Sequence, residues 1–528
     1  MTGSDDGNRG ESAPAQGGPT SCPRRRAWPR RDLPRTTARS TPSATALVDA
    51  EGGREWTYAD LDDLVGAVAA RLDAGLPDAG GRIGLLCSTR VETAVVLHAA
   101  MRTCTPAVPL EPGLPAGDVA DRLARAEVGL LVCERDTEST ALEAATCPVS
   151  SVDPPAAELV DSLDPLRSEP TTAGEAARAA YEPAPLSRSD EALVAFTSGT
   201  TGDPAGVRLT VGNLVASATA SAFRLGTLPA DRWLAPLPMA HLGGLSPVFR
   251  TALYGTTLVV QQGFDARGTA AVLAEHGATG ASLVPTQLKR MLDRGWEPPS
   301  SLRCVLLGGA PAGRDLLVEA LERDVPVFTT YGATEAASQI ATARPPAVRE
   351  RPEAVGHPLQ FTEVTVVDDG VPVPAGQRGA LVVDGPTVTP GYLDEADTRA
   401  AFGEYGLHTG DLGYREADGT LVVLGRLDDT ILTGGETVHP ASVVDVLRDY
   451  PAVSDAAVVG LPDEEWGERV AALVVAEDVG AEAIREVCRD RLPPYAVPKE
   501  VVVVDSSLPR TASGTVDREA VRERLATE

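Results

Sequence analysis

From Thr41 onward, short apolar runs alternate with stretches of helical periodicity, and that alternation most narrows the folds open to this 528-residue chain. The runs 82–87, 129–133, 257–261 and 303–307 read as strands, and segments such as 59–72 and 316–323 as helices. The order predicts an α/β fold, layered, with largely parallel sheets. The length exceeds one ordinary core and suits a large domain with a smaller one. After Arg426 the pattern resets: helix 441–448, strands 456–459 and 471–475, helix 481–491 and strand 501–504. That is enough for a separate α+β domain of about 100 residues. Residues 1–40, rich in Gly, Ser, Pro and Arg without apolar period, are expected to be a disordered tail. Arginine clusters at 24–26 and 30–31 look like a twin-arginine signal, but no apolar stretch follows them, which argues against export. Residues 155–190 read as a surface excursion.

The formal net charge is −28, and only two lysines occur, Lys289 and Lys499. Such an acidic balance argues against nucleic acid or an anionic membrane as partner. No apolar run reaches the ~18 residues of a membrane span. The charge would also repel anionic ligands unless salt screens it, and at molar salt the screening length is about 3 Å. A halophile's salty cytoplasm reconciles these facts; a GC-rich genome explains the scarce lysines but not the acidic excess. The 7 cysteines are scattered and form no C-x-x-C pair, so they read as small buried hydrophobes in a reducing cytoplasm.

Residues 197–207 carry the strongest local signal, Thr-Ser-Gly-Thr-Thr-Gly-Asp-Pro-Ala-Gly-Val. Small hydroxyl residues and glycines let backbone N–H and side-chain O–H groups wrap a polyphosphate, although this is not the GxxxxGK[ST] loop. Residues 331–335 (Tyr-Gly-Ala-Thr-Glu) offer an aromatic face for a base, a hydroxyl for phosphate and a carboxylate for Mg²⁺. Residues 408–411 and 425–428 follow, with an acidic and a basic group suited to two ribose hydroxyls.

In this order, over some 230 residues, the motifs resemble the adenylate-forming superfamily of acyl-CoA synthetases, luciferases and peptide-synthetase adenylation domains. The resemblance covers the chain from about Thr41 and implies ATP, Mg²⁺ and, as cosubstrate, coenzyme A. It implies a large N-terminal domain (41–426), a hinge (427–429) around Asp428 and a small mobile domain (430–528). By the same resemblance Thr197, Ser198, Gly199, Thr200, Thr201 and Gly202 would form the pyrophosphate loop. Gly309, Ala310, Pro311, Tyr331 and Gly332 would border adenine, Thr334 would meet the α-phosphate, and Glu335 the metal. Asp411 and Arg426 would hold the ribose, and His241 would gate the passage between acyl and nucleotide pockets.

Residues 238–245, Ser338 with its two followers, and residues 432–440 are similar to 2-succinylbenzoate–CoA ligases of menaquinone synthesis. Arg250 matches a basic position near the acid pocket of those ligases and would face the carboxylate of an aromatic dicarboxylate that does not react. A solvated helix face is the other reading of Arg250. Thr433, Gly434 and Gly435 stand where many relatives carry a lysine-bearing hinge strand, and the glycines would let pantetheine pass close to the backbone. Three usual lysines are absent: Ala205, Leu432 and Thr515 occupy their places. Loss of such a donor from a transition state can cost ~100-fold in rate. Arg510, Arg518 or Lys499 are candidates to replace it. A synthetase for another aromatic or fatty acid, and a non-catalytic nucleotide or acyl binder, are the competing expectations.

Overall fold

The computed structural model describes residues 31–76, 81–163, 165–166, 185–197, 204–463, 465–476, 479–510 and 516–527. Two large sheets carry the N-terminal part. The first has nine strands, and its centre is parallel: Val327–Ala333, Cys304–Leu307, Gly280–Leu283, Arg232–Ala235, Thr257–Val260 and Thr45–Asp49 lie in that order. Antiparallel strands flank it, Ser338–Ala343 on one side and Glu55–Thr57 on the other. The second has eight strands, with Glu191–Phe196, Ala107–Pro109, Arg82–Leu86 and Val128–Cys133 parallel at its centre.

Between the sheets lie the helices Tyr58–Gly75, Val91–Arg102, Val211–Leu225 and Leu242–Tyr254. The first starts at a capping box in which Thr57 and Asp60 satisfy each other's backbone N–H. The largest apolar cluster takes Leu47 and Leu258 from one sheet, Ile83 and Leu130 from the other, and Leu61, Val95 and Leu245 from the helices. Burial on this scale is what excludes water from the space where the sheets meet.

Both large sheets are thus largely parallel, as expected; a third sheet, built on Glu363–Asp368, Arg378–Asp384 and Gly406–Arg415 with Leu421–Arg426, is antiparallel. A short turn joins Gly406–Arg415 to Leu421–Arg426, as antiparallel pairing allows. One expectation is corrected here, the extent of the N-terminal tail. The tail does not extend to residue 40. Leu33–Ala38 is a helix whose N-cap, Asp32, is buried and paired with Arg102 at 2.7 and 3.0 Å. Six residues held by an ion pair leave no hydrophobic period to read. The arginines at 24–26 and Arg30 lie outside the described residues.

Beyond Leu421–Arg426, a second, smaller unit forms around the strands Val453–Asp463 and Gly467–Ala476, joined by Glu500–Val504. Period-two alternation divides its strands between two cores. Ala456, Val458, Val470 and Val474 face the helices Pro440–Arg448 and Ala481–Arg491; Ala457, Val459 and Leu473 face Arg518–Thr527. Among the described residues no helix is long and apolar enough to cross a membrane.

Candidate active site

Parallel strands present their carboxyl ends at one edge, and loops leaving that edge are where α/β sheets bind ligands. Here both sheets send such loops to one place. Residues 308–311 leave Cys304–Leu307, and Tyr331 lies near the end of the adjacent parallel strand. His241 follows Arg232–Ala235, while Glu111 and Thr197 follow strands of the second sheet. The sheets touch there: His241 Nε2 lies 3.2 Å from Glu111 Oε2, and the Thr89 hydroxyl, between Leu237 and Met239, bonds to both backbones.

Thr197 pairs with Ala205 through its N–H at 3.0 Å. Ser198, Gly199, Thr200, Thr201 and Gly202 lie outside the described residues. Past Ala205, Gly206–Thr210 pairs with Gly391–Tyr392, and this short strand is the link to Glu335. Tyr392 donates to Glu335 Oε1 at 3.0 Å, and the Thr389 N–H donates to the Glu335 carbonyl at 2.7 Å. Burial and the Glu335 carboxylate together push the Tyr392 phenol far up, so it stays a donor. One Glu335 oxygen is thereby fixed, and its other oxygen remains a hard ligand. Mg²⁺ takes one or two carboxylates with phosphates and water, so a single glutamate fits it. Thr334 sits in the turn Thr334–Ala336, directly before Glu335.

Tyr331, Asp411 and Arg426 converge. The Tyr331 hydroxyl donates to Asp411 Oδ2 at 2.5 Å; Arg426 Nη1 donates to Asp411 Oδ1 at 3.2 Å and to the Thr409 carbonyl at 2.7 Å. Asp411 and Arg426 are direct partners across an antiparallel ladder, which sets their spacing. Burial first, then the Asp411 charge, holds the Tyr331 phenol well above its ordinary range. Gly332 has no freedom to change: a Cβ there would meet the Ser338 carbonyl oxygen at 1.7 Å. That approach brings Ser338 to the adenine-side motif, and Ser338 itself holds φ 115°. Strain of this kind is tolerated where surroundings fix the backbone, and the Ser217 hydroxyl does so by bonding the Ala337 carbonyl at 2.7 Å.

Arg250 is not on a solvated face. It is 6% exposed on the helix Leu242–Tyr254, which His241 precedes, and among the described residues its Nε and Nη2 have no hydrogen-bond partner. Those two nitrogens form one side of the guanidinium fork, the side that takes a carboxylate bidentately. Burial lowers its pKa, yet an arginine stays charged. Beside it is a cavity of ≈ 20 Å³, lined also by Ser221, Trp233, Tyr254, Cys304 and the Asp231–Arg303 pair. Among the described residues no counter-anion is supplied there. Burial pushes Tyr254 to about 12 and Cys304 higher still, so both are neutral. The Asp231 carboxylate is taken by Arg303, by the Thr279 hydroxyl at 2.9 Å and by the Leu228 N–H at 2.7 Å.

The remaining residues lie apart from this group. Asp428 is exposed, with Arg426 Nη2 at 3.7 Å. Thr433 is buried; Gly434 and Gly435 hold φ 61° and 83° at the tip of a hairpin between Ile431–Thr433 and Glu436–Val438. Two consecutive left-handed residues make the primed turn whose twist suits a hairpin, and a Cβ on Gly434 would meet the Trp466 ring at 2.4 Å. The turn thus accounts for both glycines without pantetheine. Thr515 lies outside the described residues. The proposed substitutes for its lysine are engaged elsewhere: Arg510 with Asp455 at 2.6 Å, Arg518 with Asp429 at 2.9 Å, and Lys499 over the Trp466 ring at 3.7 Å. Tyr392 and Glu111 escaped the sequence reading, since their partners lie 57 and 130 positions away.

Comparison with known proteins decides the family. The AMP-binding enzyme model matches residues 34–393, and the AMP-binding enzyme C-terminal domain matches 444–515. The chain is an AMP-binding enzyme. It is 36% identical over 487 residues to the 2-succinylbenzoate–CoA ligase of Bacillus cereus strain Q1, covering 92% of this chain and 96% of that one. The o-succinylbenzoate CoA synthetase of Bacillus subtilis, solved with its acyl-adenylate intermediate, superposes with TM-score 0.82 at 32% identity, over 93% and 98% of the two chains. An amide bond synthetase from Marinactinospora thermotolerans does so with TM-score 0.83 at 30% identity, over 93% and 99%. The AMP-binding enzymes thus share this fold while differing in what accepts the acyl group.

Proposed function

We propose that this AMP-binding enzyme activates 2-succinylbenzoate with ATP and transfers it to coenzyme A, in the menaquinone pathway of the cytoplasm. The observation that carries the choice of acid is the open Nε–Nη2 edge of the buried Arg250. A buried cation without a counter-charge is costly, and an acid with a second carboxylate supplies one. The Arg250 Cα lies nine residues beyond His241, about 13 Å along the helix, and its side chain tilts back toward the helix start. Both ends of a short aromatic dicarboxylate fit that span.

In the first half-reaction the free carboxylate attacks the α-phosphorus of ATP, forming a mixed anhydride as the bond to pyrophosphate breaks. Thr197 and residues 198–202 hold the departing phosphates, Thr334 bonds the α-phosphate, and residues 309–311 with Tyr331 and Gly332 border the base. Asp411 and Arg426 grip the ribose hydroxyls, and Ser338 lines the acid side with Arg250. Mg²⁺, held by Glu335, neutralises phosphate charge when bound. Catalysis is positioning and charge stabilisation. In the second half the small domain turns about Asp428 and passes the hairpin 433–435 beside the thiol. The thiol sulfur forms the new bond to the acyl carbon, and AMP leaves with the electron pair.

Pyrophosphate release across 2-succinylbenzoate, benzoate, a fatty acid and an amino acid tests the reading. We expect strong release with 2-succinylbenzoate alone, and Arg250→Ala to raise KM for it ~100-fold while leaving residual benzoate turnover unchanged. Release with none of them points to a mere binder. The acidic excess suits a salty cytoplasm; activity that falls steadily between about 0.1 M and about 2 M KCl would sink that part.

A further inference from the structure

His241 and Glu111 meet where both large sheets end, His241 beyond the carboxyl end of Arg232–Ala235 and Glu111 beyond that of Ala107–Pro109. Both main chains are pinned. The His241 N–H donates to the Pro238 carbonyl at 3.2 Å, and the His241 carbonyl accepts from the Leu245 N–H at 2.9 Å. A Cβ on Gly244 would meet the Leu237 and Pro238 carbonyl oxygens at 2.3 Å, so the turn carrying the imidazole is tight. On the other side, the Leu110 N–H donates to the Leu85 carbonyl at 2.8 Å, and the Leu114 N–H to the Glu111 carbonyl at 3.2 Å. What stays adjustable is the two side chains.

Their facing atoms, His241 Nε2 and Glu111 Oε2, lie 3.2 Å apart and shut off from solvent, and neither has an aligned hydrogen bond among the described residues. Arg122, which the Glu111 charge also reaches, lies over the Phe196 ring at 5.7 Å. Two lone pairs repel at such a distance, whereas a proton on Nε2 turns the contact into a charge-assisted bond that a small ring rotation aligns. The His241 side chain is 41% exposed, so its open part is the rest of the ring. A hydrogen bond at one imidazole nitrogen sets the tautomer shown at the other. We propose that Glu111 is a positioning residue: it holds His241 as the Nε2–H tautomer and fixes the ring plane at the passage between acyl and nucleotide pockets. This rests on reading His241 as the gate of that passage.

The test measures pyrophosphate release with 2-succinylbenzoate in Glu111→Ala, Glu111→Gln, His241→Ala and the double variant Glu111→Ala/His241→Ala of the full chain. Glutamine keeps a carbonyl acceptor for the Nε2–H. We expect kcat to fall about 10-fold in Glu111→Ala with KM for ATP unchanged, and to stay within about 3-fold of the parent in Glu111→Gln. In the His241→Ala background, removing Glu111 should cost less than about 2-fold more, because it acts through the ring. A second readout needs no substrate and so stands apart from the choice of acid. The chain has 6 histidines, few enough to assign His241 by the signal lost in His241→Ala. Two-bond ¹H–¹⁵N correlations at about pH 8.5, where an imidazole carries one proton, should show Nε2–H in the parent and in Glu111→Gln, and mixed tautomers in Glu111→Ala. An Nδ1–H tautomer in the parent, or a Glu111→Ala effect that persists in full without His241, overturns the proposal. If His241→Ala slows release and Glu111→Ala does not, only this inference fails. If His241→Ala releases pyrophosphate as the parent does, the reading of the gate fails and takes this inference with it.

Discussion

The Tyr331 hydroxyl donates to Asp411 Oδ2, 80 positions away, at 2.5 Å, and the phenol keeps that proton through the physiological range. The bond fixes one oxygen of a carboxylate whose other oxygen faces Arg426. Asp411 is thereby held in one rotamer before any nucleotide arrives. Tyr331→Phe removes the bond and keeps the ring. We expect KM for ATP to rise about 5- to 10-fold with kcat within twofold, because the loss is one of ground-state positioning. A fall in kcat at unchanged KM would place the phenol at the reacting phosphate.

Glu335 and Tyr392 allow a sharper separation. Glu335→Ala removes the hard oxygen ligand, and adenylation should fall to background at any Mg²⁺ concentration while the circular dichroism spectrum stays that of the parent. Tyr392→Phe keeps the ligand and removes the donor that orients it. Its ATP–pyrophosphate exchange should need more Mg²⁺ for half-maximal rate and recover when Mg²⁺ is supplied. Near-normal exchange in Glu335→Ala would remove that carboxylate from the site.

His98 should govern acid stability. It is fully buried, its Nδ1 has no partner among the described residues, and desolvation lowers its pKa to about 4 against the opposing pull of Asp32. Arg102 adds to the lowering, and the Val248 carbonyl resists it. The unfolded chain takes up this proton near pH 6.5 and the folded chain only near 4. Stability is therefore complete above about pH 6.5 and declines as pH falls toward 4, by up to about 3 kcal/mol from this group. Urea midpoints from pH 7 to 4.5 should drop more steeply for the parent than for His98→Gln. Parallel curves would show that the proton is bound elsewhere.

What could be read beforehand was whatever repeats locally. The strands 82–87 and 303–307 differ from Arg82–Leu86 and Cys304–Leu307 by one residue at an end, because apolar runs and turn residues mark them directly. Pairings between distant segments left no such mark. Nothing in the sequence around Tyr392 announces Glu335, and Asp32 meets Arg102 only because a six-residue helix docks on the core. Gly434 and Gly435 teach a different lesson. Their hairpin turn is legible from two glycines between strand-forming residues, whereas an approach of pantetheine to that turn follows from the resemblance alone.

The absent lysine at position 515 makes the last expectation. Arg510 and Val516 form a bridge, and Asp517 bonds back to Pro509 at 3.0 Å, so the ends of the segment carrying Thr515 are tied together. The three cations that could replace that lysine, Arg510, Arg518 and Lys499, already have partners, above all Arg510 on Asp455. If none of them leaves its partner, adenylation proceeds without a positive charge between carboxylate and α-phosphate. Thr515→Lys should then speed pyrophosphate release by up to ~100-fold, since charge gathers there only in the transition state. Thioester formation from preformed adenylate should barely change, because the small domain has turned by that stage. Arg510→Ala should leave both half-reactions as they are while removing the bond to Asp455. An unchanged Thr515→Lys enzyme with a crippled Arg510→Ala enzyme would mean that the arginine swings from Asp455 into the site and has taken over the lysine's role.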